Sequence, residues 1–131
     1  MYQKEKLLND PVFKLRMLVS GAVFDGLHGK HHGKSIIKHL PYTMKELKKH
    51  LEDQFEPWMN WNNHKKYNPK TWDDNDKSTW VWNLDHIIPH STFKYDNLEC
   101  DEFFNCWNLT NLRPYSAKQN IIDGGSKIRH K

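Results

Sequence analysis

Residues 80–93 read WVWNLDHIIPHSTF, and the placing of Asp85 and His86 inside an otherwise apolar run decides how the chain is read. Alternation puts Trp80, Trp82, Leu84, His86 and Ile88 on one face of a strand and Val81, Asn83, Asp85 and Ile87 on the other, with Pro89 stopping it. An ionised carboxylate is costly to bury unless a paired cation, a metal or several hydrogen bonds replace its lost water. Asp85 therefore calls for a partner.

Downstream, WNLTNLRP (107–114) suggests a second short strand over Trp107 to Leu112, again closed by a proline. The intervening HSTFKYDNLECDEFFNC (90–106) is long for a hairpin loop and implies either a functional loop or a small element of its own. In SAKQNIIDGG (116–125), Ser116 with Gln119 makes a capping box and Gly124 with Gly125 closes the segment, so residues 117–123 form a helix of about two turns. Asn120 is a poor helix former, and its place in so short a helix suggests that its amide is needed. The order is strand, long loop, strand, short helix.

Asp85 offers a carboxylate oxygen and Asn120 an amide oxygen, both hard ligands of the kind Mg²⁺ takes one or two of while filling its octahedron with water and substrate phosphate. On this reading the metal is the counter-charge of Asp85. An imidazole, with an unperturbed pKa of about 6.5, accepts a proton from water near neutral pH, and His86 stands next to the carboxylate. Neighbouring strand residues point to opposite faces, so the two can serve one phosphate only where the strand ends or twists.

Upstream, Asp10 before Pro11 marks a helix start, and Val12, Leu15, Val19, Ala22 and Val23 recur at helical spacing to about Leu27, with Lys14 and Arg16 off the stripe. DGLHGKHHGKS (25–35) is a basic, glycine-rich connector. Its Gly29, Gly33, Lys34 and Ser35 fall one residue short of the spacing of a phosphate-binding loop. TMKELKKHLEDQFEP (43–57) is a second helix, with a Thr43–Glu46 capping box, a buried stripe of Met44, Leu47, Leu51 and Phe55, and Pro57 as its end. Lys45, Lys48 and Lys49 lie off that stripe and form a face that either meets a nucleic-acid backbone or is simply solvated. Residues 58–79 lack a period, and Trp58, Trp61 and Trp72 are expected to cap the core.

With 131 residues the chain suits one domain, and 13% aromatic residues, six Trp among them, point to a core built on a few large rings. Residues 1–50 carry ten Lys and Arg against four acids, a net +6, whereas residues 51–131 carry ten against twelve, a net −2. A basic first half suits a polyanionic partner. Only Cys100 and Cys106 are present, which excludes a four-cysteine zinc ribbon and suits free thiols in a reducing compartment. No apolar run approaches the ~20 residues that span a bilayer, and MYQKEKLLND lacks the order of a secretion signal. The expectation is a protein inside a cell, with no membrane partner.

LDHIIP, NLTNLRP and KQN, in this order, resemble the HNH endonucleases, whose ββα-metal motif wraps two strands and a helix around one divalent ion. Asn120 stands where others carry a final His, an H-N-N variant. YTMKELKKHLEDQFEPWMNWNN (42–63) is similar to the segment preceding this motif in many phage-type members, so the likeness covers about two thirds of the chain. It implies an α+β fold with N-terminal helices followed by the ββα-metal motif. Residues 1–57 would be a basic helical DNA-contacting region and residues 58–131 the catalytic region, within one compact domain. Asp85 and Asn120 would be metal ligands, His86 the general base, and Asn111 the structural Asn holding the long loop. His90, Arg113 and Lys118 lie near enough in sequence to be candidate phosphate contacts.

The implied cofactor is one divalent ion, Mg²⁺ or alternatively Mn²⁺, without a structural zinc. The implied partner is DNA, with a homodimer as the way to cut both strands, in the cytoplasm of a host cell and encoded by that cell or by a phage or virus. Asp123 stands where relatives often carry a basic residue. A non-catalytic DNA-binding or assembly protein of the same fold, and a nuclease acting on RNA, are the alternatives.

Overall fold

The computed structural model describes residues 10–27 and 36–124. Helix α1 (Pro11–Gly26) opens as the cap signals require: Val12 N donates to Asp10 Oδ1 at 2.9 Å and Pro11 occupies the first turn. Leu15, Val19, Val23 and Leu27 fall on one side of it and are buried. The connector's glycine, lysine and histidine run, residues 28–35, lies outside the described residues. A 3₁₀ turn at Ile36–His39 leads to α2 (Met44–Glu52), which packs on α1. Its capping box is reciprocal, with Glu46 N to Thr43 Oγ1 at 3.1 Å and Thr43 N to Glu46 Oε1 at 3.0 Å. On its outer face Lys48 pairs with Glu52 and Lys49 with Asp53, so two of the three lysines there are already partnered within the helix.

Helix α2 stops at Glu52 instead of running to Pro57. Gln54 N and Phe55 N turn back to Leu51 O and Glu52 O, and this tight turn swings the Phe55 ring to 5.1 Å from Trp82 and 5.5 Å from Trp61. Aromatic packing thus claims Phe55 away from the helical stripe. Residues 58–79 are irregular apart from 3₁₀ turns at Trp61–Asn63 and Lys77–Thr79. Trp58 and Trp61 pack against the core, but Trp72 does not; it stacks on Trp80, ring planes within 2°, in a satellite pair outside the main cluster. Three ring N–H groups find acceptors here: Trp61 reaches Glu52 Oε2 at 2.8 Å, Trp72 reaches Asp74 Oδ1 at 2.7 Å and Trp82 reaches Asn60 O at 2.6 Å.

Strands β1 (Trp82–His86) and β2 (Leu112–Ser116) form one antiparallel ribbon, with Leu84 opposite Pro114 and Asp85 opposite Arg113. The second strand therefore begins where it was expected to end. WNLTN is helical instead: Trp107 caps α3 (Asp101–Cys106), and Asn108 Oδ1 accepts from Thr110 N to nucleate a 3₁₀ turn at Leu109–Asn111. Pro114 sits inside the strand because the flanking bonds, Ala117 N to Val81 O and Ile87 N to Asn111 O, put the Leu84–Pro114 pair at a non-hydrogen-bonded site. The long loop carries α3 and a 3₁₀ turn at His90–Thr92, elements of its own.

Helix α4 (Ala117–Gly124) follows β2 without a loop, Gln119 N donating to Ser116 Oγ at 3.2 Å, and packs on both strands. On the far side α2 packs on β2, and Leu112 O accepts from His50 Nε2 at 2.9 Å and Gln54 Nε2 at 3.3 Å. At the outer edge of β1, His64 bridges to Trp82 and Lys65 O accepts from Asn83 Nδ2 at 2.9 Å. One cluster of buried side chains, from Leu15 on α1 to Leu112 on β2, runs through helices and ribbon alike, so the described residues form an α+β unit of helices and a two-stranded sheet.

The His64 imidazole lies flat on Trp82, centroids 4.2 Å apart, with its Nδ1 buried and without a hydrogen-bond partner. Burial, helped by the Lys14 charge, lowers its pKa to about 4. Between pH 6.5 and about 4 the unfolded chain binds a proton that the folded chain refuses. Stability is thus full above that window and falls through it as pH drops, by about 3 kcal/mol in all. Urea unfolding at pH 4.5 to 7.5 should show this slope in the parent protein, and it should shrink in His64→Phe, which keeps the stack without the titration.

Candidate functional site

The ribbon has two unlike faces. Trp82, Leu84 and His86 share the side that meets the helical core, whereas Asp85, Arg113 and Tyr115 share the side covered by α4. Asp85 is 3% exposed. Its partner is Arg113, directly across the ladder, whose Nε donates to Asp85 Oδ2 at 2.9 Å. A guanidinium thus provides one counter-charge for Asp85. Arg113 Cζ itself lies over the Tyr115 ring, 4.0 Å from its centroid, and its side chain is only 11% exposed.

Tyr115 extends this polar layer. Its hydroxyl donates to Asp123 Oδ2 at 2.7 Å, and Gln119 Nε2 donates to Asp123 Oδ1 at 2.9 Å, leaving Asp123 1% exposed. Burial, and next the Asp123 carboxylate, push the Tyr115 hydroxyl up to about 12, so it remains a donor. The residue that departs from the basic pattern therefore ties α4 to β2. Asn120 stands half-buried on the same helix, which covers the face of the ribbon where Asp85 lies. Lys118 points elsewhere: its Nζ lies 2.6 and 2.7 Å from the Asp74 carboxylate, an exposed pair that links α4 to the Trp-rich layer.

On the other face, at the end of β1, the His86 ring meets Trp107 edge-on at 4.5 Å and stacks on His90 at 5.2 Å. His90 Nε2 lies 2.6 Å from the Tyr95 hydroxyl, which also receives Trp107 Nε1 at 3.3 Å. Burial lowers the His90 pKa, the Asp25 charge acting the other way, and burial pushes Tyr95 up to about 12. The chain is satisfied when Trp107 N–H donates to the Tyr95 oxygen and Tyr95 O–H to His90 Nε2. His90 thereby packs on His86 with its Nε2 engaged by the Tyr95 hydroxyl.

The strand ends at His86 because Asn111 takes over the backbone. Its Oδ1 accepts from Ile88 N at 2.8 Å, and its Nδ2 donates to Ile88 O at 3.2 Å and Cys106 O at 3.0 Å. Ile87 N adds a bond to Asn111 O at 2.9 Å. The 8%-exposed amide staples the chain leaving β1 to the end of α3. The structure brings Asp85 and His86 to the last two positions of one strand and seats Asn120 on the helix packed against it. Arg113, Tyr95, Trp107 and Asp123 escape sequence reasoning as site-shaping residues. For Arg113 the signal would have been the cross-strand register, and for Asp123 the i,i+4 spacing from Gln119; for Tyr95 and Trp107 no local pattern exists.

Among the described residues, no group of three or more His, Cys, Asp and Glu side chains is placed to hold a metal ion, and Cys100 and Cys106 are free thiols. No helix among them is long and apolar enough to cross a membrane. No protein-family profile matches the chain, and no solved structure matches it. An uncharacterized protein of Acanthamoeba polyphaga mimivirus is 24% identical over 122 residues, covering 93% of this chain and 47% of that relative. The chain thus spans about half the length of the curated relative it matches.

Removing one member of a buried pair strands the other, at a cost of about 3–5 kcal/mol, while replacing both can be nearly neutral. Arg113→Leu should therefore destabilise the protein by that amount in urea unfolding, and Arg113→Leu with Asp85→Leu should recover most of it. Equal loss in the single and double variants would show that the pair is not what holds this layer.

Proposed function

We propose that the protein is a metal-dependent endonuclease of the HNH type, hydrolysing DNA phosphodiester bonds. The observation that supports this reading best is the staple at the end of β1. It terminates the strand directly after Asp85 and His86, so the carboxylate and the imidazole, on opposite faces within the strand, stand where the chain turns. A helix bearing Asn120 packs on the same ribbon.

The donor set suits a hard cation. A carboxylate and a side-chain amide are ligand types that Mg²⁺ and Mn²⁺ accept, and Mg²⁺ uses few protein groups, so the lack of a larger acidic or histidine cluster is compatible with it. A carboxylate has acceptor room for more than one partner, so Arg113 on Oδ2 and a metal can share Asp85. Asp85 and Asn120 would hold the ion, which when bound would stabilise charge on the phosphoryl and leaving oxygens.

His86 would take the proton of the attacking water, a contribution of about 10²- to 10⁴-fold. Its ring is already oriented by Trp107 and His90, so little freedom is lost when it acts. Arg113 fixes the Asp85 carboxylate, and the Tyr115–Asp123 bond ties α4, which carries Asn120, to the ribbon. Of the three candidate phosphate contacts Lys118 is the accessible one, since an exposed pair with Asp74 is easily exchanged for a phosphate.

One observation favours a second reading. A carboxylate already neutralised by a buried guanidinium also fits a DNA-binding or assembly protein that keeps this fold and cuts nothing. The giant-virus relative is in keeping with a viral setting for either role.

Incubation with supercoiled plasmid and Mg²⁺ or Mn²⁺ is expected to give nicked or linear product, abolished by EDTA. His86→Ala should slow cleavage by about 10²- to 10⁴-fold while leaving DNA affinity nearly unchanged. Tight DNA binding without cleavage in either metal would favour the inert reading, and digestion of RNA alone would move the substrate.

A further inference from the structure

Two of the six tryptophans, Trp72 and Trp80, sit outside the core and are only partly buried. Their rings stack 5.5 Å apart, and the row continues to Tyr67 beside Trp72 and to Trp58 beside Trp80. Large amphipathic rings left partly open to solvent suit a contact surface.

Beside this row runs a groove of about 750 Å³, in the size range of ligand sites, with Trp58 and Trp80 in its walls. Lys65, Lys77, Asn62 and Thr71 add polar groups, and among the described residues no carboxylate lines it. Lys65 and Lys77 are exposed and take part in no ion pair among the described residues, and Lys77 Nζ lies 5.7 Å from the Trp80 ring centroid. The acids of the same layer are turned to partners of their own: Asp73 to Asn75 N, Asp74 to Lys118 and Trp72, and Asp76 to Ser78.

Lysines and aromatic walls without an opposing acid match a nucleic-acid strand, whose phosphates take the cations and whose bases take the rings. A neutral sugar would leave both lysines without a counter-charge. A base reaches such walls only when it is out of its duplex, because pairing and stacking otherwise hold it inside the helix.

We infer that this groove holds single-stranded DNA, with bases against Trp58 and Trp80 and phosphates at Lys65 and Lys77. Val81, which lines the groove, precedes Asp85 by four residues, about 13 Å of extended chain. That is about four nucleotides at the 3.4 Å spacing of a stacked strand. The Lys118–Asp74 pair joins this layer to the helix that carries Asn120.

The choice of DNA rests on the proposed function, but the groove can hold a strand whether or not the protein cuts. If it does cut, its favoured substrate is DNA with an unpaired segment about four nucleotides from the cleaved bond.

Fluorescence anisotropy on the full chain tests this, with a labelled oligothymidylate and a blunt duplex of equal length, in EDTA so that cleavage does not enter the readout. The single strand is expected to bind more tightly. Lys65→Gln with Lys77→Gln should lower its slope of log affinity against log salt by about 1.4 and leave the duplex nearly unaffected. Trp80→Leu should weaken the single strand by about 5- to 150-fold, the range of one base–aromatic stack. Should Trp80→Leu fail to fold, the lysine pair decides alone. A single strand bound no better than the duplex, or a lysine pair whose loss weakens both forms equally, overturns the proposal. Binding that persists while Mg²⁺ gives no cleavage upholds the groove and counts only against the nuclease reading.

Discussion

The interaction on which the rest depends is the buried pair of Asp85 and Arg113 across the two-stranded ribbon. Two charges leave water together only if each is held in good geometry and its remaining polar atoms are served. Here the service comes from a layer: Arg113 lies on Tyr115, Tyr115 donates to Asp123, and Gln119 completes the second carboxylate. Because Asp123 belongs to α4, its bond from Tyr115 also seats that helix, and with it Asn120, on the ribbon.

The opposite face works by shape. Trp107 is buried and offers its edge to His86, while its ring N–H begins the chain through Tyr95 to His90. Tyr42 donates to Trp107 O at 2.7 Å, tying this ring system to the segment between the helices. The imidazole at 86 therefore stands in a rigid, mostly uncharged setting, one residue from a carboxylate in a strongly polar one. Adjacent positions with such different surroundings suit two groups with different tasks.

Much of the fold was legible because its signals are local. Asp10 with Pro11, Thr43 with Glu46 and Ser116 with Gln119 each mark a helix start that the structure contains, and each acts within four residues. What was not legible depends on distant partners. The strand assigned to Trp107–Leu112 lies at Leu112–Ser116, because Asn108 captures its own backbone and because Pro114 is tolerated where its missing N–H faces outward. Phe55 leaves its helix for Trp82, and Trp72 leaves the core for Trp80. For the candidate site, residue type and order singled out Asp85, His86 and Asn120, which the structure places at the end of β1 and on the helix packed against it. The guanidinium that meets Asp85 could not be found that way, since it becomes a neighbour only once the register is known.

Neither long side of the ribbon is open to another backbone. Along β2, Pro114 offers no donor and the Leu112 carbonyl is taken by His50 and Gln54. Along β1, His64 already bridges to Trp82, and the Asn83 amide caps Lys65. A third strand, whether from the same chain or from a neighbour, would find the ladder blocked at several rungs. The smallest of sheets is thus kept from growing, so crowded copies of this protein are protected from sticking together edge to edge.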